Sequence, residues 1–388
     1  MSFVKDLSFS AMVAGFVTVL VGFSSSGILI FQAAQALGAT PAQTSSWLWA
    51  LCVGMAVTSI GLSLRYRTPI TTAWSTASAA MLISIASSLN MAEAIGAFII
   101  SAVLISVVGF TGLFERVMAY VPMSLAAAML AGILLRFGIG AFTAINTQPT
   151  MILAMFCAYL LMRRIQPRYS VLAALIVGVM IARWQGILHF QYLELTMVRP
   201  VWVWPQFSLH SVIGVAIPLF IVTMASQNMA GVAAIKSFGY HAPISPIIGW
   251  TGIANLFFAP FGAFSINLAA ITAAICLGQE AHPDKNKRYM SSVFAGGFYL
   301  LMGIFATTMA ALFAAFPQEL VLALAGIALL GTIGNGLATA LQHENEREAA
   351  LITFLVTASG LSIWGIGSAF WGLVAGGFVL LLSRRQTK

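Results

Sequence analysis

Residues 69–76 read PITTAWST and residues 260–267 read PFGAFSIN, and each stretch opens an apolar run with a proline. Proline disfavours helix at the residue before it, and the β-branched residues or glycine that follow are poor helix formers. Ser75, Thr76 and Ser265 come next, and serine and threonine are typical helix N-caps. The sequence therefore predicts a short extended segment followed by a half-length helix in both places. The alternative is that these two prolines only begin ordinary helices.

The composition around these stretches is that of a membrane protein. Of the 388 residues, 60% are hydrophobic and 7% are charged, whereas soluble domains carry about 25% charged residues. At about 20 residues for each membrane crossing, the chain predicts fourteen spans and no separate soluble domain. The apolar runs lie near 10–31, 46–64, 69–89, 93–114, 118–141, 148–162, 169–187, 208–234, 245–258, 260–278, 289–311, 317–340, 349–365 and 367–383. The first run is expected to be retained, because no cleavage site follows it.

Lysine and arginine predict the orientation. With fourteen spans both termini share one side of the membrane, and 15 of the 18 cations fall on that side. Only Arg136, Arg183 and Arg199 lie elsewhere. Such an excess marks the cytoplasmic face, so both termini are expected in the cytoplasm of a bacterium, with the chain in its inner membrane. The net charge of +8 is dispersed over loops and does not predict a nucleic-acid partner.

The chain also contains a weak internal repeat. Residues 73–80 (AWSTASAA) resemble residues 263–270 (AFSINLAA) at an offset of 190, and LAGI occurs at 130–133 and again at 324–327, an offset of 194. Two repeats of seven spans must enter the membrane from opposite sides, because seven is odd. The predicted fold is therefore an all-α polytopic membrane protein of two inverted repeats, residues 1–190 and 208–388, an arrangement typical of secondary transporters.

The two half-length helices predict a binding site for an anion. Irregular backbone at membrane depth is tolerated where it lines a cavity, and helix N-termini attract negative charge. All ten acidic residues and all five histidines map to loops or span ends, so the polar groups at depth are neutral. Trp74 and Phe264, placed at equivalent positions by the offset of 190, are expected to sandwich a flat ring. The candidate binding residues are Ser25, Ser26, Thr72, Trp74, Ser75, Thr76, Gln227, Asn228, Phe264, Ser265 and Asn267.

Each candidate has a plainer interpretation. Neutral amides commonly join membrane helices to one another, and buried aromatic rings more often fill a core. Arg136, one turn from a span end, is expected to reach the membrane surface or backbone carbonyls rather than a substrate. The sequence has no phosphate-binding loop, no nucleophile with a base and no clustered metal ligands, so neither an enzyme nor a cofactor is expected.

Four stretches resemble the BenE-type family of benzoate:proton symporters. They are RYRTPITTAWST (65–76), SLAAAMLAGILLR (124–136), MASQN (224–228) and AHPD (281–284). This family is distantly similar to nucleobase transporters and sulfate-type anion carriers. The resemblance implies a core domain of spans 1–4 and 8–11 (about 10–114 and 208–311) and a gate domain of spans 5–7 and 12–14 (about 118–187 and 317–383). It also implies substrate between spans 1, 3, 8 and 10, and elevator-like motion.

The resemblance also bears on the substrate. Nucleobase carriers of this fold have glutamates on spans 8 and 10, where this chain has Gln227 and residues 265–267 (SIN). The expected partners are therefore a small aromatic carboxylate, a proton and the lipid bilayer, with a homodimer as the expected assembly. The proton is expected to travel on the substrate or through water at Gln227 and Asn228. Alternatives are a nucleobase or inorganic-anion carrier, or an anion channel.

Overall fold

The computed structural model describes residues 6–86, 89–114, 116, 122–166, 169–188, 195–279, 281–361, 363 and 368–386, which are largely helical. The helices and strands of this part are α1 (Phe9–Ala36), α2 (Pro41–Tyr66), β1 (Thr72–Trp74), α3 (Thr76–Ile85), α4 (Met91–Phe110), α5 (Met123–Thr143), α6 (Pro149–Ile165), α7 (Ser170–Trp184), α8 (Leu209–Ser237), α9 (Ile244–Phe258), β2 (Ile266–Leu268), α10 (Ile271–Leu277), α11 (Tyr289–Ile304), α12 (Ala306–Ala314), α13 (Gln318–Ala340), α14 (Arg347–Ser359) and α15 (Ser368–Gln386). Within α8, the segments Val212–Ala216 and Thr223–Asn228 have π-helical hydrogen bonding.

Local sequence explains where several helices begin. Ser8 caps α1 by accepting from the Ala11 N–H at 3.1 Å. Reciprocal capping boxes start α2, through Thr40 and Gln43, and α4, through Asn90 and Glu93. Such caps satisfy backbone N–H groups that the first turn of a helix leaves unpaired. The starts of these long apolar helices are therefore encoded by the residues that immediately precede them.

Several helices are long and apolar enough to cross a membrane. In the described part of the chain, length and composition identify six such helices, and up to seven when the bent helix α1 is included as one span. Helix α1 bends by 43° between its segments Phe9–Phe23 and Ser26–Ala36. Other apolar helices are shorter, including α3 and α7. The chain is thus a helical membrane protein, while the arrangement of fourteen spans in two inverted repeats stays a prediction.

Several helices pack closely against one another. Helices α2 and α11 pack together, as do α4 and α9, while α5 packs against α13 and α14. At the α4–α9 crossing, a side chain at Gly109 would overlap the backbone of Gly249. Small residues allow helix backbones to approach each other in membranes, so this glycine pair sets the spacing of the two helices.

The two strands pair with each other in an antiparallel sheet. Thr72 lies opposite Leu268, Ala73 opposite Asn267, and Trp74 opposite Ile266. The extended segment predicted at the first break is present as β1, whereas that of the second break lies later in the chain than predicted, at Ile266–Leu268. A short helix, α3 or α10, follows each strand. The sheet brings together parts of the chain that lie 194 residues apart, because Ala73 and Asn267 are the strand centres.

The helix N-cap prediction was right for the first break and wrong for the second. Ser75 caps α3 by accepting from the Ser78 N–H at 3.0 Å. Ser265 instead precedes strand β2, and Ala270 stands before α10 without a side-chain cap. Pro260 lies in the turn that ends α9 rather than at the start of the tenth run.

The pairing of Trp74 with Phe264 as equivalent positions was also wrong. The strand centres are separated by 194 residues, the offset of the LAGI match, whereas Trp74 and Phe264 are separated by 190. Trp74 lies in β1, but Phe264 lies before β2 in the irregular segment after Gly262. Gly262 has a φ of 106°, and a side chain there would overlap the Trp47 ring. The four-residue error arose because runs of small apolar residues align almost equally well at neighbouring offsets.

Candidate functional site

A cavity of about 600 Å³ lies beside the paired strands. One wall comes from α1, β1, α3, α8, residues 269–272 and α11, and the facing wall comes from α5 and α13. The residues that line it are Gly22, Ser26, Ala73, Trp74, Thr76, Met123, Leu130, Ala225, Gln227, Met229, Ala230, Ala269, Ala270, Thr272, Tyr299, Asn335, Gly336 and Thr339. The volume falls in the range of small-molecule sites, which are about 300–1,000 Å³.

Two aromatic residues, Trp74 and Tyr299, are among those that line this cavity, and Phe23 packs behind Trp74. The Trp74 Nε1–H donates to the Ser26 hydroxyl at 2.8 Å, and Ser26 in turn donates to the Gly22 carbonyl at 3.1 Å. Phe23 packs edge-on against Trp74 with ring centroids 4.9 Å apart, and Tyr299 lies 6.2 Å from Trp74. Ring pairs prefer such edge-to-face contacts at 4.5–7 Å. The wall is therefore held in place and suits a planar apolar ligand.

The polar groups of the cavity are neutral. Hydroxyl and amide groups reach it from both walls, and none of the described residues that line it carries a charge. Gln227 belongs to the π-helical segment of α8, and Thr76 is the first residue of α3. The N-terminal end of α3 therefore borders the cavity and contributes the positive end of its dipole. This arrangement can accept hydrogen bonds from a protonated acid or donate them to a carboxylate.

Three predicted binding residues with hydroxyl groups are buried away from the cavity. Thr72 shares hydrogen bonds with Thr58 at 2.7 Å and Ser59 at 2.8 Å, both on α2. Ser265 contacts the Thr223 hydroxyl at 2.9 Å, and its carbonyl accepts from the Ser75 N–H at 3.1 Å. These three residues, Thr72, Ser75 and Ser265, hold the strand pair in place rather than line the cavity.

The two predicted asparagines also form hydrogen bonds with the strands. Asn228 accepts from the Leu268 N–H at 3.0 Å and donates to the Met224 sulfur at 3.2 Å. With its amide oxygen turned to the Ser75 N–H at 3.3 Å, Asn267 donates to the carbonyls of Ala73 at 3.3 Å and Leu268 at 3.1 Å. Both side chains are fully buried. Of the predicted amides, only Gln227 lines the cavity.

The structure also places Phe264 and Arg136 outside the cavity. Phe264 is buried against Trp47, with centroids 5.8 Å apart, and against Phe98 at 6.0 Å, and it does not line the cavity. The expected sandwich of a ring between Trp74 and Phe264 is therefore not formed. Arg136 lies outside the cavity against Gly360, where a side chain would overlap its guanidinium. The side chain of the predicted residue Ser25 lies outside the described part of the chain.

Sequence reasoning missed residues that the structure brings to the site. Tyr299, Asn335 and Thr339 line the cavity from α11 and α13, helices that carry no break. Asn335 was detectable in principle, as an amide inside an apolar run. Asn255 on α9 was missed as well: it clamps β2 by accepting from the Ile266 N–H at 2.6 Å and donating to the Ile266 carbonyl at 2.8 Å.

Comparisons with known proteins agree on a transporter family. The family model of BenE, "Benzoate membrane transport protein", matches residues 5–382. The chain is 50% identical over 366 residues to inner membrane protein YdcO of Escherichia coli K12, covering 94% of each chain. It is 42% identical over 372 residues to the benzoate membrane transport protein of Acinetobacter baylyi, covering 96% of this chain and 94% of that one.

Solved structures share the fold at low sequence identity. SLC26A9 superposes with a TM-score of 0.65 at 15% identity, over 100% of this chain and 68% of that one. The murine SLC26A9 anion transporter in its inward-facing state gives 0.60 at 15% identity, over 99% and 69%. The transmembrane domain of the cyanobacterial bicarbonate transporter BicA gives 0.57 at 16% identity, over 97% and 96%. At these identities the likeness concerns the fold alone.

Proposed function

This chain belongs to the BenE family of benzoate membrane transport proteins, and we propose that it takes up a benzoate-like aromatic carboxylate by proton symport. The observation that carries the proposal is the uncharged cavity with an aromatic wall at Trp74 and the first turn of α3 at its edge. The wall suits the ring of the substrate, and the neutral donors suit its carboxyl group. A glutamate in the same place would repel a carboxylate.

The proposed proton coupling follows from the charge of the substrate. Moving an anion into a negative interior costs about 2.3 kcal/mol for each 100 mV of membrane potential. A proton that moves with the anion removes this cost. A carboxylic acid of this kind titrates near a glutamate, at about 4.3, so a modest rise in the site makes protonation accessible. We propose that the proton travels on the substrate or through water at Gln227. Asn228 is less suited to this role, because it is bonded to Leu268 and Met224.

The same proposal includes alternating access by an elevator motion. The core domain is formed by spans 1–4 and 8–11, about residues 10–114 and 208–311, and the gate domain by spans 5–7 and 12–14, about residues 118–187 and 317–383. Support comes from the cavity, whose walls belong to these two sets: Trp74 and Gln227 to the first, Leu130 and Asn335 to the second. Antiparallel pairing about Ala73 and Asn267 supports an inverted repeat of seven plus seven spans.

We place the protein in the bacterial inner membrane with both termini in the cytoplasm, as the distribution of cations predicts. One relative is named an inner membrane protein, which supports this location. In this orientation the cavity opens toward the cytoplasm, because Met123 begins α5 and Thr339 lies near the end of α13 on that side. The conformation is then inward-facing, and a homodimer is the proposed assembly.

The test is transport in proteoliposomes. An imposed gradient with the acidic side at the uptake face is expected to drive saturable accumulation of labelled benzoate, together with proton entry. Unlabelled benzoate is expected to compete, and uracil and sulfate are not. Absence of benzoate accumulation, or accumulation indifferent to the pH gradient, contradicts the proposal.

The main alternative is an inorganic-anion carrier, since the fold is shared with an anion transporter and a bicarbonate transporter. Competition by sulfate or bicarbonate would favour it. An anion channel would give current proportional to voltage instead of saturable uptake. Ligand-induced thermal shifts across a panel of aromatic acids would then define the preferred substrate.

A further inference from the structure

A second cavity, of about 510 Å³, lies at the opposite end of α1 from the N-terminus. It is bounded by the end of α1, the start of α2, the segment 197–199 and α12. Its lining residues are Phe31, Gln35, Ala39, Pro41, Ala42, Thr44, Ser45, Met197, Val198, Arg199, Thr307, Ala310 and Ala311. Most of these are apolar or weakly polar, and the lining contains one charge, that of Arg199.

Arg199 is carried on an anchored segment. The Val198 N–H donates to the Ile304 carbonyl at 3.0 Å, and the Val201 N–H donates to the Ser46 hydroxyl at 2.9 Å. These two bonds tie the chain on either side of Arg199 to α11 and α2. The backbone that carries Arg199 is therefore fixed, and its exposed side chain is among those that line the cavity.

No carboxylate neutralises this arginine in the part of the chain that the structure describes. The ion pairs found there are Arg67 with Asp6 and Arg347 with Glu344, at the other face of the molecule. The residues that line the second cavity include no aspartate or glutamate. A guanidinium prefers a planar carboxylate, which it binds through two parallel hydrogen bonds.

We propose that the cavity at Arg199 is a second binding site for an aromatic carboxylate, from which the carrier is loaded on the face opposite its termini. This inference rests on the proposed function. The apolar lining suits the ring and Arg199 the carboxylate, a combination that an inorganic anion or a neutral nucleobase matches only in part. The first cavity, without a charge, then receives the ligand after this site has concentrated it.

Helix α1 borders both cavities. Ser26 and Phe31, on α1, lie about 8 Å apart along the helix at 1.5 Å for each residue. Tyr299 and Thr307, on the continuous path through α11 and α12, border the first and second cavity respectively. The Phe23, Trp74 and Tyr299 rings lie on the α1 and α11 side of the first cavity. Helix α1 therefore places the two cavities a short distance apart along its axis.

The test compares uptake from the two faces in sided vesicles. Arg199→Gln is expected to raise KM for benzoate about tenfold at the face opposite the termini. We expect its kcat to stay within about twofold of the wild-type value. We expect no change in KM at the face where the two termini lie. Because salt screens the charge of Arg199, high salt is expected to reduce the difference in KM between the wild type and Arg199→Gln. Arg183→Gln is the matched control, an exposed arginine on α7 outside the cavity, and both its KM values should equal those of the wild type.

A second variant separates filling of the cavity from loss of charge. Ala311→Phe places a ring into the cavity from α12 and should give the same one-sided rise in KM. An unchanged KM in Arg199→Gln overturns the second site while the proposed function stands, and equal rises at both faces overturn it too. An effect confined to vesicles with anionic phospholipid means that a lipid headgroup occupies Arg199, which also contradicts the proposal. Wild-type protein that fails to transport benzoate overturns the proposed function itself.

Discussion

The indole N–H of Trp74 donates to the hydroxyl of Ser26 across 2.8 Å, and this bond joins strand β1 to helix α1 at the wall of the first cavity. Trp74 is 4% exposed, so the Ser26 hydroxyl takes the place of water as the acceptor for its N–H. Removing the acceptor leaves a buried donor without a partner, which typically costs about 1–3 kcal/mol.

Ser26→Ala is therefore expected to loosen the aromatic wall and to raise KM for benzoate about five- to tenfold, with the protein still folded. Proteoliposome uptake measures the effect. Ser84→Ala is the control, because Ser84 donates to the Met81 carbonyl on α3 and does not line the cavity. Equal behaviour of the two variants would show that the Trp74 bond has no part in binding.

Alanine substitutions of Gln227 and of its neighbour Asn228 are expected to cause different defects, the first in transport and the second in stability. Gln227→Ala removes an amide that lines the cavity, so uptake should fall at least tenfold while thermal stability stays near that of the wild type. Asn228→Ala leaves the buried Leu268 N–H unpaired, so the melting temperature should fall. Melting curves in detergent and substrate and proton fluxes in liposomes separate the two. Normal flux and unchanged coupling in Gln227→Ala would remove it from the site.

Asn255 is expected to be a stability residue. Its amide pairs with both the N–H and the carbonyl of Ile266, and its replacement by alanine leaves both groups buried without partners. We expect Asn255→Ala to destabilise the fold by about 2–4 kcal/mol, read as a lower melting temperature and loss of ligand-induced stabilisation. Asn286→Ala, at an exposed turn, is the control. If both variants had the same melting temperature, the hydrogen bonds between Asn255 and Ile266 would not stabilise the fold as we expect.

Asn335 tests whether α13 takes part in binding. It lines the cavity from the wall opposite Trp74, together with Thr339 one turn later. Asn335→Ala should raise KM about fivefold through loss of one hydrogen bond to the carboxyl group. Gln342→Ala, just beyond the same helix and outside the cavity, should not. Indistinguishable KM values would confine binding to the Trp74 wall.

Asp6 predicts a dependence of stability on pH. The Tyr289 hydroxyl donates to its carboxylate at 2.6 Å, and this bond, with Arg67 at 2.9 Å, holds the pKa of Asp6 below its ordinary value of 3.8. A carboxylate with a lowered folded-state pKa stabilises the fold above its unfolded pKa and ceases to do so as the pH falls through the folded value.

The melting temperature of the wild type should therefore exceed that of Asp6→Asn by a constant margin from pH 5 to 8, shrinking below about pH 3.8. Glu344→Gln is the control, since Glu344 forms an exposed pair with Arg347 at 3.2 Å. Such exposed pairs add little to stability. A margin that does not shrink at all as the pH falls below 3.8 would exclude the carboxylate as its origin.

The sequence predicts the breaks in the helices better than it predicts which residues line the cavity. The interruptions near Trp74 and before Asn267 were predictable, because proline, glycine and β-branched residues disfavour helix locally. Which candidate faces the cavity was not. Ser26, Trp74, Thr76 and Gln227 line it, whereas Thr72 and Asn228, of similar polarity, are bonded to neighbouring elements.

The sequence by itself determined the membrane environment, the position of the first break, the region of the second and the family, since these depend on composition, local backbone preference and similarity spread along the chain. Only the tertiary structure decided the partners of each polar side chain. A buried amide satisfies whichever donor or acceptor the fold places beside it, and Asn228 finds the N–H of Leu268, 40 residues away. Contacts at that separation depend on how helices pack, which residue type and spacing do not specify.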